Sequence, residues 1–167
     1  AQVAVVNIDV GKYDLQQCAD AVMRLRAEYL YALKKYEEIH FNYTSGHRVG
    51  FKEWSEGIRP VVKGSKVSFV GGNRRGTDRR NFMEYMQNIF TYAGSLSLSK
   101  ELQPADISQV MPGDVFILGG SPGHAVIVVD VAANTGGERY FMIAQSYMPA
   151  QQIHVLKNPN DQDISPW

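Results

Sequence analysis

The pattern of apolar and polar positions predicts a chain that begins with helices and ends in a sheet. Near the N-terminus, apolar residues recur at the spacing of one buried helix face; they are Leu15, Cys18, Val22, Leu25, Tyr29, Ala32 and Tyr36. Asp14, with Gln17 three residues later, fits the start of such a helix. We therefore predict a long amphipathic helix from about Leu15, preceded by a short strand within residues 3–9.

The middle of the chain carries a weaker pattern. Residues 40–59 show no regular period, and we expect them to be irregular. Two β-rich runs then flank the Lys-Gly-Ser-Lys segment at 63–66, a pattern typical of a hairpin, and Pro60 predicts that the first of its strands is an edge strand.

A second helix is predicted after Thr77 or Asp78, either of which can cap it, and Gly94 should end it. Its apolar face consists of Phe82, Tyr85, Met86, Ile89, Phe90 and Ala93. After a polar stretch, residues 104–110 predict a short helical turn.

The C-terminal third is β in character. Its apolar runs are separated by turns rich in Gly, Pro or Asn, as in an antiparallel meander; they are VFIL (115–118), HAVIVVDVA (124–132), RYFMIAQSY (139–147) and QQIHVLK (151–157). The second run is apolar almost throughout, which predicts burial on both faces. Helices followed by a sheet indicate a single α+β domain over residues 1–167.

Composition narrows the functional classes. With 44% hydrophobic and 20% charged residues, the chain resembles ordinary folded domains. No apolar run approaches the roughly 20 residues that span a bilayer. The 17 basic and 17 acidic residues cancel, which argues against nucleic acid as a partner. Since the chain starts at Ala1 without a Met or a leader, we expect an N-terminal segment of the full-length protein to be missing.

The candidate chemistry centres on the single cysteine, Cys18. Backbone N–H groups at a helix start favour the thiolate, although free cysteine on an apolar stripe is often simply buried. His124 opens an apolar strand, and Gln145 and Ser146 are polar positions on the next strand. A cysteine at a helix start, a histidine on a later strand and a third polar residue form the arrangement of a papain-type catalytic site.

Further residues could support such a site. Gln17 or Gln145 could donate to an oxyanion together with the Cys18 backbone N–H, and Tyr13 and Tyr147 could line a substrate cleft. The four histidines show no metal-ligand spacing, so we expect neither a metal nor a cofactor.

An arginine cluster at Arg74, Arg75, Arg79 and Arg80 lies around the predicted start of the second helix. Helix N-termini favour anions, so the cluster could dock a carboxylate, a phosphate or an acidic polymer. The alternative is a solvated loop, since arginine at a helix start opposes the helix dipole.

The segment ISQVMPGDVFILGGSPGHAVIVVDVA resembles NlpC-type cell-wall cysteine peptidases and their CHAP amidase relatives. In those families a PGD turn leads into a strand, and the catalytic histidine opens the next one. The resemblance implies a papain-like fold, with N-terminal helices packed on a C-terminal antiparallel meander, and places the nucleophile at Cys18 and the base at His124. Where the NlpC-type pattern has Asp-Cys-Ser-Gly, this chain has Gln17-Cys18-Ala19-Asp20.

The whole chain, including CADAVMRLRAEYLY and AQSYMPAQ, resembles a bacterial family of predicted lipoproteins known only as a domain of unknown function. That resemblance implies export, as a periplasmic protein or outer-membrane lipoprotein. The leading hypothesis is a cysteine hydrolase that cuts an amide in peptidoglycan or another cell-envelope peptide or glycan. The alternative is an inactive exported binding or scaffold domain with the same fold, and a third is an anion-binding module that uses the arginine cluster.

Overall fold

The elements follow the predicted order of helices before sheet in a computed structural model, which describes residues 2–11 and 15–167. The helices are α1 (Cys18–Ala32), α2 (Phe51–Ser55), α3 (Arg79–Tyr92) and α4 (Ser95–Glu101). The strands are β1 (Gln2–Val5), β2 (His40–Asn42), β3 (Arg48–Gly50), β4 (Arg59–Lys63), β5 (Lys66–Val70), β6 (Val115–Leu118), β7 (His124–Ala133), β8 (Arg139–Gln145) and β9 (His154–Leu156).

The main sheet has five strands in the order β1-β9-β8-β7-β6, and every neighbouring pair is antiparallel. Strands β6 to β9 form the predicted meander, because short turns join consecutive strands, and β1 adds to its far edge beside β9. Two separate hairpins, β2–β3 and the predicted β4–β5, complete the strands of the described residues. The α+β class and the antiparallel C-terminal sheet are thus confirmed.

The first helix begins later than predicted. Its first residue is Cys18 and its N-cap is Gln17, so the expected start at about Leu15 is wrong; the expected cap, Asp14, lies outside the described residues. The helix start is capped by a residue of its own first turn: the Asp20 carboxylate accepts a hydrogen bond from the Gln17 backbone N–H at 3.0 Å. A carboxylate in the first turn satisfies one of the orphan backbone donors of a helix start.

The buried face of α1 also differs from the prediction. Residues 19–24 are all buried and Ala27 and Leu30 continue the buried face, whereas Tyr29 is 59% exposed. An apolar spacing pattern misses this burial, because the buried positions include the polar residues Asp20 and Arg24. The consequence is that Cys18 lies at the margin of the buried face and is half-buried.

The second helix matches its prediction. The Asp78 side chain caps α3 by accepting a hydrogen bond from the Asn81 backbone N–H at 3.0 Å. The predicted apolar face is buried at Phe82, Tyr85, Met86, Ile89 and Phe90. In this segment the capping residue and the spacing of apolar residues predict the same helix, so the sequence alone was sufficient to predict α3.

Residues 40–59 are ordered, so the expectation that they are irregular is wrong, and the polar stretch after Gly94 also contains a helix. Residues 40–59 hold the β2–β3 hairpin and α2, each too short to show a period, and their aromatic residues Phe41, Phe51 and Trp54 are buried in the core. The polar stretch after Gly94 forms α4, whose start is capped by a hydrogen bond from the Gly94 N–H to the Ser97 hydroxyl at 3.0 Å. The short helical turn is present at Ile107–Gln109.

Strand β7 alternates in burial at its start, so the expectation of burial on both faces is wrong. Ala125 and Ile127 are buried, whereas His124 and Val126 are only half-buried and Asp130 is exposed. The register with β8 shifts between Val128 and Asp130, a local irregularity typical of a β-bulge. The alternation leaves His124 at the rim of the sheet, where the chain enters from the loop after β6.

Candidate functional site

Cys18 faces a cleft at the start of α1. It lines a cavity of about 690 Å³ together with Gln17 and Asp20 on the helix side. The Gly-rich loop between β6 and β7, residues 119–123, forms part of the other wall, with His124 at its end. Cys18 therefore lies at a cavity wall. Its position on the predicted apolar stripe would have suggested the centre of the core instead.

His124 is held by a residue of the neighbouring strand. Its Nε2 lies 2.8 Å from the Gln145 side-chain oxygen Oε1. A carbonyl oxygen only accepts hydrogen bonds, so Nε2 carries the proton and the lone pair of the neutral ring lies on Nδ1. Nδ1 is thus the atom that can accept a proton. The Tyr147 ring packs edge-on against the imidazole at 5.6 Å between centroids and is itself 54% exposed.

The thiol and the imidazole share the cavity without a direct bond. The hydrogen bond of the His124 ring within the described residues is the one to Gln145, and none joins Cys18 Sγ to the imidazole. His124 also lines a second cavity of about 680 Å³, which extends over Val126 and Phe116. The imidazole therefore stands at the rim between two cavities.

The remaining predicted site residues divide into two groups. Gln17 and Tyr147 line the cavity of Cys18, whereas Tyr13 lies outside the described residues. Ser146 is fully buried, and its hydroxyl is 2.7 Å from the Gln151 carbonyl oxygen and 3.2 Å from that of Gln16. Gln145, the last residue of β8, contacts the imidazole, and Ser146 directly after it ties the end of the strand to the segment before α1.

Asp20 is a site residue that the sequence reasoning missed. The residue is one of those that line the cavity of Cys18, and only 7% of it is exposed. Burial raises the pKa of this carboxyl to about 7, against a smaller lowering by the hydrogen bond from the Gln17 backbone. Its Oδ1 atom is buried and has no hydrogen-bond partner in the described part of the chain. The signal was an acidic residue two positions after the cysteine, which becomes visible once the helix start is placed correctly.

The arginine cluster is separate from this cavity. Arg79 makes two hydrogen bonds of 2.6 Å to the Glu28 carboxylate. Arg75 and Arg80 pair with Glu84 at 2.8 and 3.3 Å, while Arg74 is exposed. The cluster surrounds the start of α3, whereas Phe90 near the other end of that helix lines the cavity of Cys18. A helix of 14 residues is about 21 Å long, so the cluster and the cysteine do not form one site.

Other features lie away from the thiol. A cavity of about 810 Å³ is lined by Val22, Leu25 and Tyr29 of α1 and by Val115 and Val129 of the sheet. Across the described ranges, no group of three or more His, Cys, Asp or Glu side chains is placed to hold a metal ion. None of the helices in those ranges is both long and apolar enough to cross a membrane.

Comparisons with known proteins place the chain in a family. Neither the curated proteins nor the solved structures gave a match to it. Over residues 1–167 the sequence matches the family described as domain of unknown function (4846). The chain therefore belongs to this family, and its cavity with Cys18 and His124 is a feature of a DUF4846 domain.

Proposed function

We propose that this chain is a papain-like cysteine hydrolase of the NlpC and CHAP kind, exported to act on an amide bond of peptidoglycan or a related cell-envelope peptide. One observation carries the proposal: Cys18, the first residue of α1, and His124, the first residue of β7, line the same cavity. The hydrogen bond from His124 to Gln145 adds the third member of a Cys–His–polar arrangement.

The proposed reaction follows from the atoms that are available. Nδ1 of His124 takes the proton of the Cys18 thiol, and the thiolate attacks the amide carbonyl carbon. The backbone N–H of Cys18 and the side-chain amide of Gln17 donate to the oxyanion. The imidazolium then protonates the leaving nitrogen, the C–N bond breaks, and water hydrolyses the thioester. Because Gln145 is neutral, it orients the ring but stabilises imidazolium less than a carboxylate would.

This reaction requires the imidazole and the thiol to approach each other. Hydrogen bonds between catalytic groups often shorten only when substrate is bound. His124 is half-buried and lines two cavities, which leaves room for such a movement.

The test is release of new amino groups from purified peptidoglycan. We expect activity in the native protein and a loss of about 100-fold or more in Cys18→Ser and His124→Ala, because each removes a group that takes part in bond making. Ser121→Ala is the matched control, since Ser121 lines the same cavity and has no role in the reaction. Full activity in Cys18→Ser would end the proposal.

A second candidate is an inactive binding domain with the same fold. It is favoured by the lack of a thiol–imidazole hydrogen bond and by the exposed Tyr147 and Met148 at the cavity. Sedimentation with peptidoglycan distinguishes the two. A binding domain should keep its affinity in Cys18→Ser, lose it in Tyr147→Ala and show no turnover.

A further inference from the structure

Strand β6 is an edge strand of the main sheet and borders the second cavity that His124 lines. Its neighbour on one side is β7, and within residues 2–11 and 15–167 no strand pairs with its other edge. In an antiparallel pair, every second residue turns its backbone N–H and C=O away from the partner strand. The outer edge of β6 therefore offers backbone donors and acceptors that the described part of the chain leaves without a backbone hydrogen bond.

The cavity of about 680 Å³, which we call the β6 cavity, runs along this edge. All four residues of the strand, Val115–Leu118, line it. Successive side chains of a strand point to opposite faces, so a single cavity that touches all four passes around the free edge. The segment after α4 also lines it, at Leu102, Pro104 and Ile107. The β6 cavity is therefore a groove between the edge of β6 and the segment after α4.

One end of this groove is the candidate site. Leu118 and His124 line both the β6 cavity and the cavity of Cys18. Leu118 lies directly opposite His124 in the sheet, and Phe116 lies opposite Val126, so these four side chains share one face. On that face Phe116 is 40% exposed and Leu118 is 64% exposed. An occupant of the groove thus meets apolar side chains and ends beside the imidazole.

We propose that the β6 cavity binds an extended peptide, which adds to the outer edge of β6 as a sixth strand of the sheet and leads to the thiol and the imidazole. A peptide backbone repeats N–H and C=O groups at the spacing of a strand edge, and a glycan chain does not. Apolar side chains at alternate positions of the peptide meet Phe116 and Leu118. The inference deepens the proposed function, and it rests on that function only where the bound peptide is called a substrate.

The groove favours a single peptide strand over the sheet of a second copy. Edge strands also pair with the same strand of another copy. Here the segment after α4 lines the groove together with β6, and neighbouring strands lie about 4.8 Å apart. A volume of about 680 Å³ is that of a small-ligand site. It accepts a short extended segment but not a second sheet.

The test measures binding of a fluorescein-labelled peptide, Lys-Val-Ser-Val-Ser-Val-Lys, to the full chain with Cys18→Ser, which prevents turnover. In two further peptides, ester oxygens replace the backbone N–H groups either of the three valines or of the three residues that follow them. A strand added to β6 uses the N–H groups of only one set. We expect one ester peptide to bind about tenfold more weakly than the parent and the other within about threefold of it.

A variant of the groove tests the apolar contact. Phe116→Lys places a charge on the exposed face of β6, and we expect the affinity for the parent peptide to fall about tenfold. Tyr29→Lys is the matched control, because Tyr29 is an exposed apolar residue of α1 that does not line the β6 cavity. It should bind the peptide as tightly as Cys18→Ser alone. If Phe116→Lys does not fold, the two ester peptides still decide the inference.

Three outcomes separate the inference from its rivals. Equal affinities of the two ester peptides, or no saturable binding of the parent peptide at millimolar concentration, would overturn it. A stable dimer in sedimentation that the peptide does not dissociate would assign the edge to a second copy and overturn it as well. Peptide binding with the expected pattern, in a native protein that cuts neither the peptide nor peptidoglycan, would remove the proposed function and leave this inference standing.

Discussion

Helix α1 carries buried polar side chains in its middle and in its first turn, and the two places are built differently. In the middle, Arg24 is 2% exposed, and its guanidinium bonds to Glu28 at 2.6 Å and to Gln16 at 3.0 Å. In the first turn, Asp20 is nearly as buried and uses only one of its carboxyl oxygens. The charge of Arg24 is paired with the Glu28 carboxylate, although the buried Nε2 of Gln16 has no hydrogen-bond partner among the described residues. The Asp20 carboxyl leaves Oδ1 unbonded in the described part of the chain, and this difference separates the first turn of α1 from its middle.

The two carboxyls also respond to pH in opposite directions. Burial raises the pKa of Asp20 to about 7. Burial alone would also raise the pKa of Glu28, but hydrogen bonds from Arg79 and Arg24 outweigh it and lower that pKa overall. Asp20 therefore contributes stability that is complete below pH 3.8 and is lost as the pH rises to about 7. Glu28 contributes stability above pH 4.5 that is lost as the pH falls through its lowered pKa.

The largest loss of unfolding free energy should come from removing the hydrogen bonds of Arg24 in the middle of α1. Arg24→Met leaves Gln16 without its donor and Glu28 with only Arg79, so we expect the free energy of unfolding to fall by about 3–5 kcal/mol. Guanidinium chloride unfolding measures it, and Arg26→Met on the exposed side of α1 is the control. A loss below about 1 kcal/mol would show that the pairing in the middle of α1 is not structural.

Asp20→Asn should show an effect that depends on pH. Relative to the native protein, the variant should gain on the order of 4 kcal/mol in unfolding free energy between pH 4 and pH 8, since it cannot ionise. Urea unfolding at both pH values measures the difference. A pH-independent offset between the two proteins would mean that Asp20 titrates as an ordinary carboxyl.

Arg79→Met should cost less than Arg24→Met. The Arg79 side chain is 52% exposed, so despite its two bonds to Glu28 we expect a loss of about 1 kcal/mol near neutral pH. The same variant should reduce the loss of stability on acidification, because Glu28 then has one cationic partner fewer. Unfolding at pH 3 and pH 7 tests both statements, with Arg80→Met at a more exposed arginine as the comparison.

The smallest effect on stability should come from the strand side of the cleft. Gln145→Leu removes the acceptor of the His124 Nε2–H, at a cost of about 0.5–1 kcal/mol. The clearer readout is the imidazole nitrogen spectrum, in which the native ring should be protonated at Nε2 and the variant should populate both tautomers. An unchanged tautomer would mean that Gln145 does not orient the ring.

The sequence predicted those parts of the fold in which the spacing of apolar residues repeats over several turns of a helix or along a whole strand. Helix α3 and strands β6 to β9 were found because cap, period and turns agreed. The β2–β3 hairpin and α2 were missed because elements of three to five residues carry no period. The buried face of α1 was misjudged because it includes the polar residues Asp20 and Arg24, and this error concealed the position of Cys18 and the burial of Asp20.

Part of the candidate site was accessible from the sequence and part was not. The contact between His124 and Gln145 follows from two polar positions on neighbouring strands of a meander. Their relation to Cys18 depends on how α1 packs on the sheet and where the 119–123 loop runs, and neither is a local property of the sequence.

The loop of residues 119–123 borders the cleft of Cys18, and the lack of a side chain at Gly123 lets it lie close to helix α4. A Cβ at Gly123 would collide with the Ser95 hydroxyl of α4 and with the backbone oxygen of Gly120. The Ser95 hydroxyl in turn donates to the Gly120 carbonyl oxygen at 3.1 Å. Loop and helix thus lie too close together for a methyl group at residue 123, and Gly123→Ala would push them apart. Gly123→Ala would thus change the width of the opening beside Cys18 without altering any titratable or charged group.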